Sequence, residues 1–286
     1  MFKRERSILM RTKRKCGAFL PLIAGGLLLA GSLLHPKAEP DPGVGAFTQT
    51  AITPTKTQTE APGETTAEQI VASFASAHDL SMSAWPQSLI DLLDRNPETR
   101  DFVLGYPEEH NKTHAADLSE YGDFDTVPLF LQWDQRWGYI RYGTDVAGIT
   151  GCGPVCLSMV TCYLTGDPSY SPDEMIRFAL ENDYCVPGNG SSWTLISEGG
   201  RQLGLDVTEL PLVESIVMDH LQAGHPIICI MGPGDFTDSG HFIVLTGCED
   251  GKIRINDPNS REKSARLWEY AQIESQIDNL WVLERG

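Results

Sequence analysis

Cys152 stands between glycines in Gly151-Cys152-Gly153-Pro154 and opens a run in which Val155, Met159, Val160, Tyr163 and Leu164 recur at helical spacing. Pro154 suits the first turn of a helix, where its missing N–H costs nothing. The pattern therefore predicts a helix beginning at Cys152, with unpaired N–H groups and a positive dipole end that favour the thiolate. Gly151 and Gly153 leave space for another molecule to approach the backbone beside the sulfur. Read alone, Cys152 is more readily a small buried apolar residue, as most cysteines are. Two later residues shift that balance. His241 begins an apolar strand after Asp238-Ser239-Gly240, and Asp257 ends the strand expected to pair with it, just before Pro258. Singly they read as a strand-end residue and a turn former. With Cys152 they make a nucleophile and a carboxylate-held base, the equipment of a cysteine or serine hydrolase.

That pairing places a demand on the hairpin. Asp250-Gly251 is a turn signal, with Phe242–Thr246 entering and Lys252–Asn256 returning. If those two residues alone formed the loop, Asp257 would face Val244. His241 would then point to the opposite face, because side chains alternate with period two. A His241–Asp257 bond requires an odd-length loop or a β-bulge, a feature frequent beside active sites.

The elements that would carry these residues run helices first, sheet second, an α+β layout. Val127–Leu131 reads as a short strand. Helices are expected from Cys152, from Ser171-Pro172-Asp173-Glu174, over 192–204 and over 213–222, the last stopped by Gly224. Ile227–Met231, Phe242–Thr246 and Lys252–Asn256 read as strands, 267–277 as a helix and Leu280–Leu283 as a closing strand. The loops Pro187–Gly190 and Met231–Thr237 are expected to flank a cleft; the first has no lysine and is not a phosphate loop. Ahead of these, residues 67–124 read as a small helical segment with Asn96-Pro97-Glu98 as a cap and Phe102 and Val103 facing inward. It carries nothing resembling a site, and His110 and His114 read as solvated surface.

The chain of 286 residues has a net charge of −17, which hides a split. Residues 1–40 carry eight Lys/Arg against two Asp/Glu, and the remainder 14 against 37. So acidic a body argues against a nucleic-acid partner. Residues 1–16 form a basic region, followed by the uncharged run Gly17–Leu34. As a helix that run is ~27 Å long, enough to cross a bilayer. Residues 17–35 are thus expected to be a single-pass anchor, with the basic flank in the cytoplasm and the remainder outside. A cleaved signal peptide and a secreted protein is the alternative. Residues 36–66, rich in Pro, Thr, Gly and Glu, read as a flexible spacer.

Four motifs in order, Gln132-x-Asp-x-Arg-Trp-Gly, Gly151-Cys152-Gly153-Pro154, Gly240-His241-Phe242 and Asn256-Asp257-Pro258, resemble the C39-like peptidase family. These are papain-type cysteine peptidases related to bacteriocin leader-processing enzymes. The resemblance implies a papain-like domain over 125–286, in which a helical half with the nucleophile packs on an antiparallel sheet with His and Asp. It implies Cys152 as nucleophile, His241 as base, Asp257 as orienting acid and Gln132 as oxyanion-hole donor. The family usually has Thr or Ser where this chain has Val155, and with no transporter domain following, export-coupled cleavage is not expected. Physically, the Gln132 amide and the Cys152 N–H would receive the developing oxyanion, at ~3–4 kcal/mol per donor. Gln135 competes for that role; Gln132 is preferred because it directly follows the expected strand.

A peptide or isopeptide substrate is expected, with no cofactor or metal. A catalytically silent peptide- or cell-wall-binding module is the second reading. Of the other cysteines, Cys156, Cys162, Cys229 and Cys248 read as buried thiols, and Cys185, in a loop, as a candidate for pairing. His220 and His225 read as structural or surface residues.

Overall fold

The computed structural model describes residues 65–286. The expected basic region, the transmembrane segment and all but the end of the spacer lie outside the described residues. Thr66 starts the first helix through a reciprocal capping box with Gln69. Helices α1 (Ala67–Ala77), α2 (Gln87–Arg95) and α3 (Arg100–Glu109) form the expected helical arm. Between α2 and α3, the Asn96 side chain accepts from the Glu98 N–H, and Pro97 takes the first position of a short 3-10 turn. Val71, Leu89, Leu92, Phe102 and Val103 close over Leu131, Trp133 and Tyr139, so the arm shares a core with the chain that follows. Phe102 stacks on Tyr139, and its ring fills the space that a Cβ at Gly148 would need. Only glycine fits there.

Residues 127–131 do not form the expected strand. Pro128 cannot donate to a ladder, and Asn256 Nδ2 instead donates to Val127 O at 3.1 Å and Pro128 O at 2.9 Å. After a small hairpin, β1 (Arg141–Tyr142) with β2 (Asp145–Val146), and the single turn α4 (Ala147–Thr150), comes α5 (Cys152–Thr165). Its residues Gly153–Cys162 are all buried, so the single apolar face expected for this helix is part of a wholly enclosed one. It ends at Gly166, whose φ of 70° is the left-handed cap that glycine adopts without strain. Next are α6 (Pro172–Glu181) and the hairpin β3 (Cys185–Val186) with β4 (Gly190–Ser191). A π-helical stretch, Leu195–Gly199, and the short α7 (Gly200–Gln202) stand where one helix was expected over 192–204.

The sheet strands are β5 (Leu205–Glu209), β6 (Ile227–Met231), β7 (His241–Glu249), β8 (Lys252–Asn256), β9 (Leu267–Trp268) and β10 (Ile277–Arg285). Helix α8 (Glu214–Gln222) precedes β6, α9 (Arg261–Ser264) follows β8, and α10 (Tyr270–Ile273) precedes β10. Strand β9 occupies the start of the helix expected over 267–277, because Trp268 and Leu267 pair with Ile253 and Arg254. Tertiary pairing overrides local helical spacing there. All pairs are antiparallel in the order β5-β10-β6-β7-β8-β9, so the final strand lies inside the sheet rather than closing its edge.

Both sheet faces are covered, which explains the continuous apolar runs. Ile228, Ile230, Phe242, Val244 and Leu283 pack in one cluster with Val155, Cys156 and Met159 of α5. Ile227, Cys229, Ile243, Leu245 and Ile255 pack in a second with Val217 and Leu221 of α8 and Ile273 of α10. Each such fully buried aliphatic side chain stabilises the fold by about 1.5–3 kcal/mol.

Candidate active site

The β7–β8 hairpin has the irregularity that the site demands. Asp250 and Gly251 both have positive φ, 50° and 77°, and form a tight two-residue turn. Glu249, Cys248 and Gly247 pair with Lys252, Ile253 and Arg254, but Leu245 pairs with Ile255 and Val244 with Asn256. Thr246 is the extra residue of a bulge. The register beyond it brings Asp257 opposite Ile243, so His241 and Asp257 share a face.

Their side chains meet. His241 Nε2 and Asp257 Oδ1 are 2.7 Å apart, with Asp257 wholly buried and His241 7% exposed. Asp257 Oδ1 also accepts the Asn259 N–H at 2.8 Å, while Oδ2 is buried without a hydrogen-bond partner among the described residues. Because Asp257 engages Nε2, the imidazole has Nδ1 left for the sulfur. The neighbouring Asn256 is turned away toward Val127 and Pro128.

Cys152 is half-buried at the first residue of α5 and lines one cavity with His241. Burial alone would raise its pKa. The His241 imidazole, by hydrogen bonding and by charge, and the N–H groups of Phe242 and Gly153 outweigh that and hold the thiol below its ordinary value. Burial would depress His241, but the Asp257 carboxylate and the Cys152 sulfur push its pKa up to about 10. Both shifts favour a thiolate–imidazolium pair. The flanking glycines act within the chain: a Cβ on Gly153 would meet Ser191 Oγ at 2.7 Å, so this glycine admits β4 rather than another molecule.

Gln132 is 3% exposed. Its Nε2 donates to Gly148 O at 3.0 Å and Ile149 O at 3.2 Å, just ahead of the nucleophile, and its Oε1 has no partner among the described residues. No strand precedes it; its N–H is fixed by Pro258 O at 2.7 Å instead. Gln132 and His241 line one cavity, whereas Gln135 donates to Asp101 O and lines a different one with His110 and His114.

Two cavities meet at His241, one of about 640 Å³ and one of about 520 Å³, and share Ile149, Ser239 and Gly240. The loop Gly234–Gly240 walls the first, and Gly188–Gly190 borders the second, as expected of loops flanking a cleft. Sequence reasoning missed several lining residues. Leu92, Arg95 and Asn96 bring the arm into the first cavity, correcting its reading as a segment without a site. Their only sequence signal was a helix cap. Trp193 and Asp278 border the second cavity, Asp278 as the extra residue of a bulge in β10.

The remaining candidates lie elsewhere. His110 and His114 are half-buried rather than solvated; His110 stacks on Tyr106 and bonds its carbonyl oxygen. His225 pairs with Glu284. All six cysteines among the described residues are free thiols, Cys185 included, so its expected pairing is not present. Burial pushes the Cys156 thiol well up and that of Cys162 up to about 12.

The Peptidase_C39 like family model matches residues 124–284, more than half of the chain and all four motif segments. The chain belongs to that family. It is a cysteine peptidase with a papain-like α+β fold. Among solved structures, the peptidase is similar to the peptidase domain of Streptococcus ComA, a bi-functional ABC transporter involved in quorum sensing. The identity there is 18%, over 48% of this chain and 93% of that one, with a TM-score of 0.37. A double glycine motif protease from an AMS/PCAT transporter, in complex with the leader peptide, is 21% identical over 47% and 84%, TM-score 0.36. A C39-like peptidase from Bacillus anthracis is 18% identical over 56% and 96%, TM-score 0.34. No curated protein matches the chain.

Proposed function

We propose that the peptidase cleaves a peptide or isopeptide bond through Cys152, His241 and Asp257, with Gln132 and the Cys152 N–H as oxyanion donors. The Cys152 thiolate attacks the carbonyl carbon, and the carbonyl π electrons move onto oxygen. His241, as imidazolium, gives its Nδ1 proton to the leaving amine as the C–N bond breaks. Asp257 holds the ring from Nε2 throughout. Water, deprotonated by the now neutral His241, then releases the acyl group from sulfur. The Gly148 and Ile149 carbonyls can share one Gln132 hydrogen in a three-centre bond, leaving the second for the oxyanion.

The observation that carries this reading is the 2.7 Å His241–Asp257 bond between two buried side chains, of which His241 lines one cavity with a depressed thiol at a helix start. The test is turnover of a peptide library by the full chain. Cleavage that survives Cys152→Ala refutes the assignment.

The same proposal places the catalytic domain outside the cell, tethered by residues 17–34, on the strength of an eighteen-residue uncharged run behind seven basic residues. Among the described residues no helix is long and apolar enough to cross a membrane. N-terminal sequencing of protein from its native membrane decides: a mature chain beginning at about residue 36–45 means a cleaved signal peptide and a released enzyme.

A further inference from the structure

The turn carrying Asp257 has every backbone carbonyl engaged. Asp257 O accepts from Ser260 N at 3.1 Å, Pro258 O from Gln132 N at 2.7 Å, and Ser260 O from Ser264 Oγ at 2.7 Å. Asn259 O accepts twice, from Trp133 Nε1 at 3.0 Å and from Asn96 Nδ2 at 2.6 Å. Most of these donors belong to the peptidase domain. Asn96 comes from the arm, at the corner between α2 and α3.

Glu98, two residues on, grips the same turn from its far side. Its Oε1 accepts the Ser260 hydroxyl at 2.6 Å, and its Oε2 accepts the Arg261 N–H at 2.9 Å. The corner is itself firm, since Thr99, wholly buried, donates its hydroxyl to Asn96 O at 2.7 Å. Asn259, which Asn96 holds by its carbonyl and which directly precedes the residues that Glu98 holds, donates its N–H to Asp257 Oδ1, the oxygen bonded to His241. The contacts therefore run unbroken from the arm to the imidazole. Among the described residues Asp257 Oδ2 has no hydrogen-bond partner, and the carboxylate's side-chain hydrogen bonds are those with Asn259 N and His241.

We propose that Asn96 and Glu98 are positioning residues for the Asp257–His241 pair, and that the catalytic unit begins in the arm, ahead of residues 124–284. This rests on the triad reading above. Without the two grips the Asn259 N–H shifts, the carboxylate rotates, and the imidazole loses its alignment on the sulfur. The other ionisable groups around the pair are Cys152 and Cys156 on α5, Lys263 on α9, Arg95 on α2, Asp278 on β10, and Asp235 and Asp238 on the loop before β7.

The test uses the full chain and four proteins: wild type, Asp257→Asn, Asn96→Ala and Glu98→Gln. The rate of Cys152 alkylation by iodoacetamide is followed against pH, beside turnover and thermal melting. For both arm variants kcat falls about ten- to a hundredfold with KM nearly unchanged, and the alkylation profile moves to higher pH. A role in packing alone lowers the melting temperature and moves neither; that result overturns the proposal. If Asn96→Ala does not fold, Glu98→Gln, which keeps one acceptor oxygen, gives the same readout. Asp257→Asn separates the two layers. If it leaves the profile unmoved, the triad reading fails and the positioning role with it; if it moves the profile and the arm variants do not, only the positioning role fails.

Discussion

His241 and Asp257 meet because Thr246 is an extra residue in β7. Between the two-residue turn and the bulge the hairpin is regular, and a regular continuation would send the two side chains to opposite faces. The bulge shifts the register by one, and the 2.7 Å bond follows. The register thus determines which carboxylate can orient the histidine. Asn256, one residue earlier, points the other way and donates to the carbonyls of residues 127 and 128.

Replacing the two neighbours should therefore have unequal effects on chemistry. Asp257→Asn keeps the size of the side chain but loses the charge that supports the imidazolium, and kcat should drop by roughly 10⁴-fold. Asn256→Ala should destabilise the fold, by about 1–3 kcal/mol for the two carbonyls left unpaired, while leaving kcat near wild type well below the melting temperature. Steady-state kinetics and melting of both variants check this. An equal loss of kcat in Asn256→Ala would contradict the assignment of the orienting role to Asp257.

The pH dependence follows from the two opposed shifts. Cys152 is depressed below the ordinary thiol value of ~8.5, so the thiolate is lost only as pH falls through that lowered pKa. His241 is raised to about 10, so the imidazolium is present through neutrality and is lost as pH rises toward that value. Turnover, which needs both, should form a broad bell spanning neutral pH. Alkylation, which needs only the thiolate, should rise once on the acid side. In Asp257→Asn the largest support for the imidazolium is gone, and the alkaline limb should move to lower pH. A wild-type alkylation midpoint near that of a free thiol would contradict the ion pair.

Gln132 and Gln135 make a second unequal pair. Gln132→Ala should lower kcat by about 10²–10³-fold, the usual cost of losing one oxyanion donor, with KM little changed. Gln135→Ala should leave kcat alone, since its amide reaches Asp101 O at the base of α3. Gln132→Glu is a second variant; like the alanine variant it also releases the Gly148 and Ile149 carbonyls, which the Gln132 amide holds as a donor. It keeps the shape, removes the donor, and should be as slow as the alanine variant.

Much of this site was legible in the chain because its signals are local. A glycine-flanked cysteine before proline, a histidine opening an apolar strand and an aspartate ahead of proline each carry their own punctuation. The need for a register shift followed from counting residues between His241 and Asp257. What was not legible depends on partners distant in sequence. Val127–Leu131 has a strand's composition, but its carbonyls go to the Asn256 side chain rather than to a ladder. Trp268 reads as part of a helix until Ile253 offers it a pairing edge. The arm looked unconnected to chemistry because Asn96 and Glu98 find their partners more than 160 positions downstream.

The thiols give the most direct check on the nucleophile. Of the six among the described residues, Cys156, Cys162 and Cys229 are buried and their pKa values are pushed up, so they are neither accessible nor ionised at neutral pH. Cys185 and Cys248 are half-buried, and burial raises the Cys185 pKa as well. Cys152 has both some access and a depressed pKa, supplied chiefly by His241. Brief treatment with iodoacetamide at pH 7, followed by peptide mapping, should find it modified ahead of the others. Alkylation depends on the thiolate fraction, so the His241→Ala variant should lose this preference, with Cys152 falling to a rate comparable with Cys185. Modification of Cys185 first in the wild-type protein would remove Cys152 from the nucleophile's place.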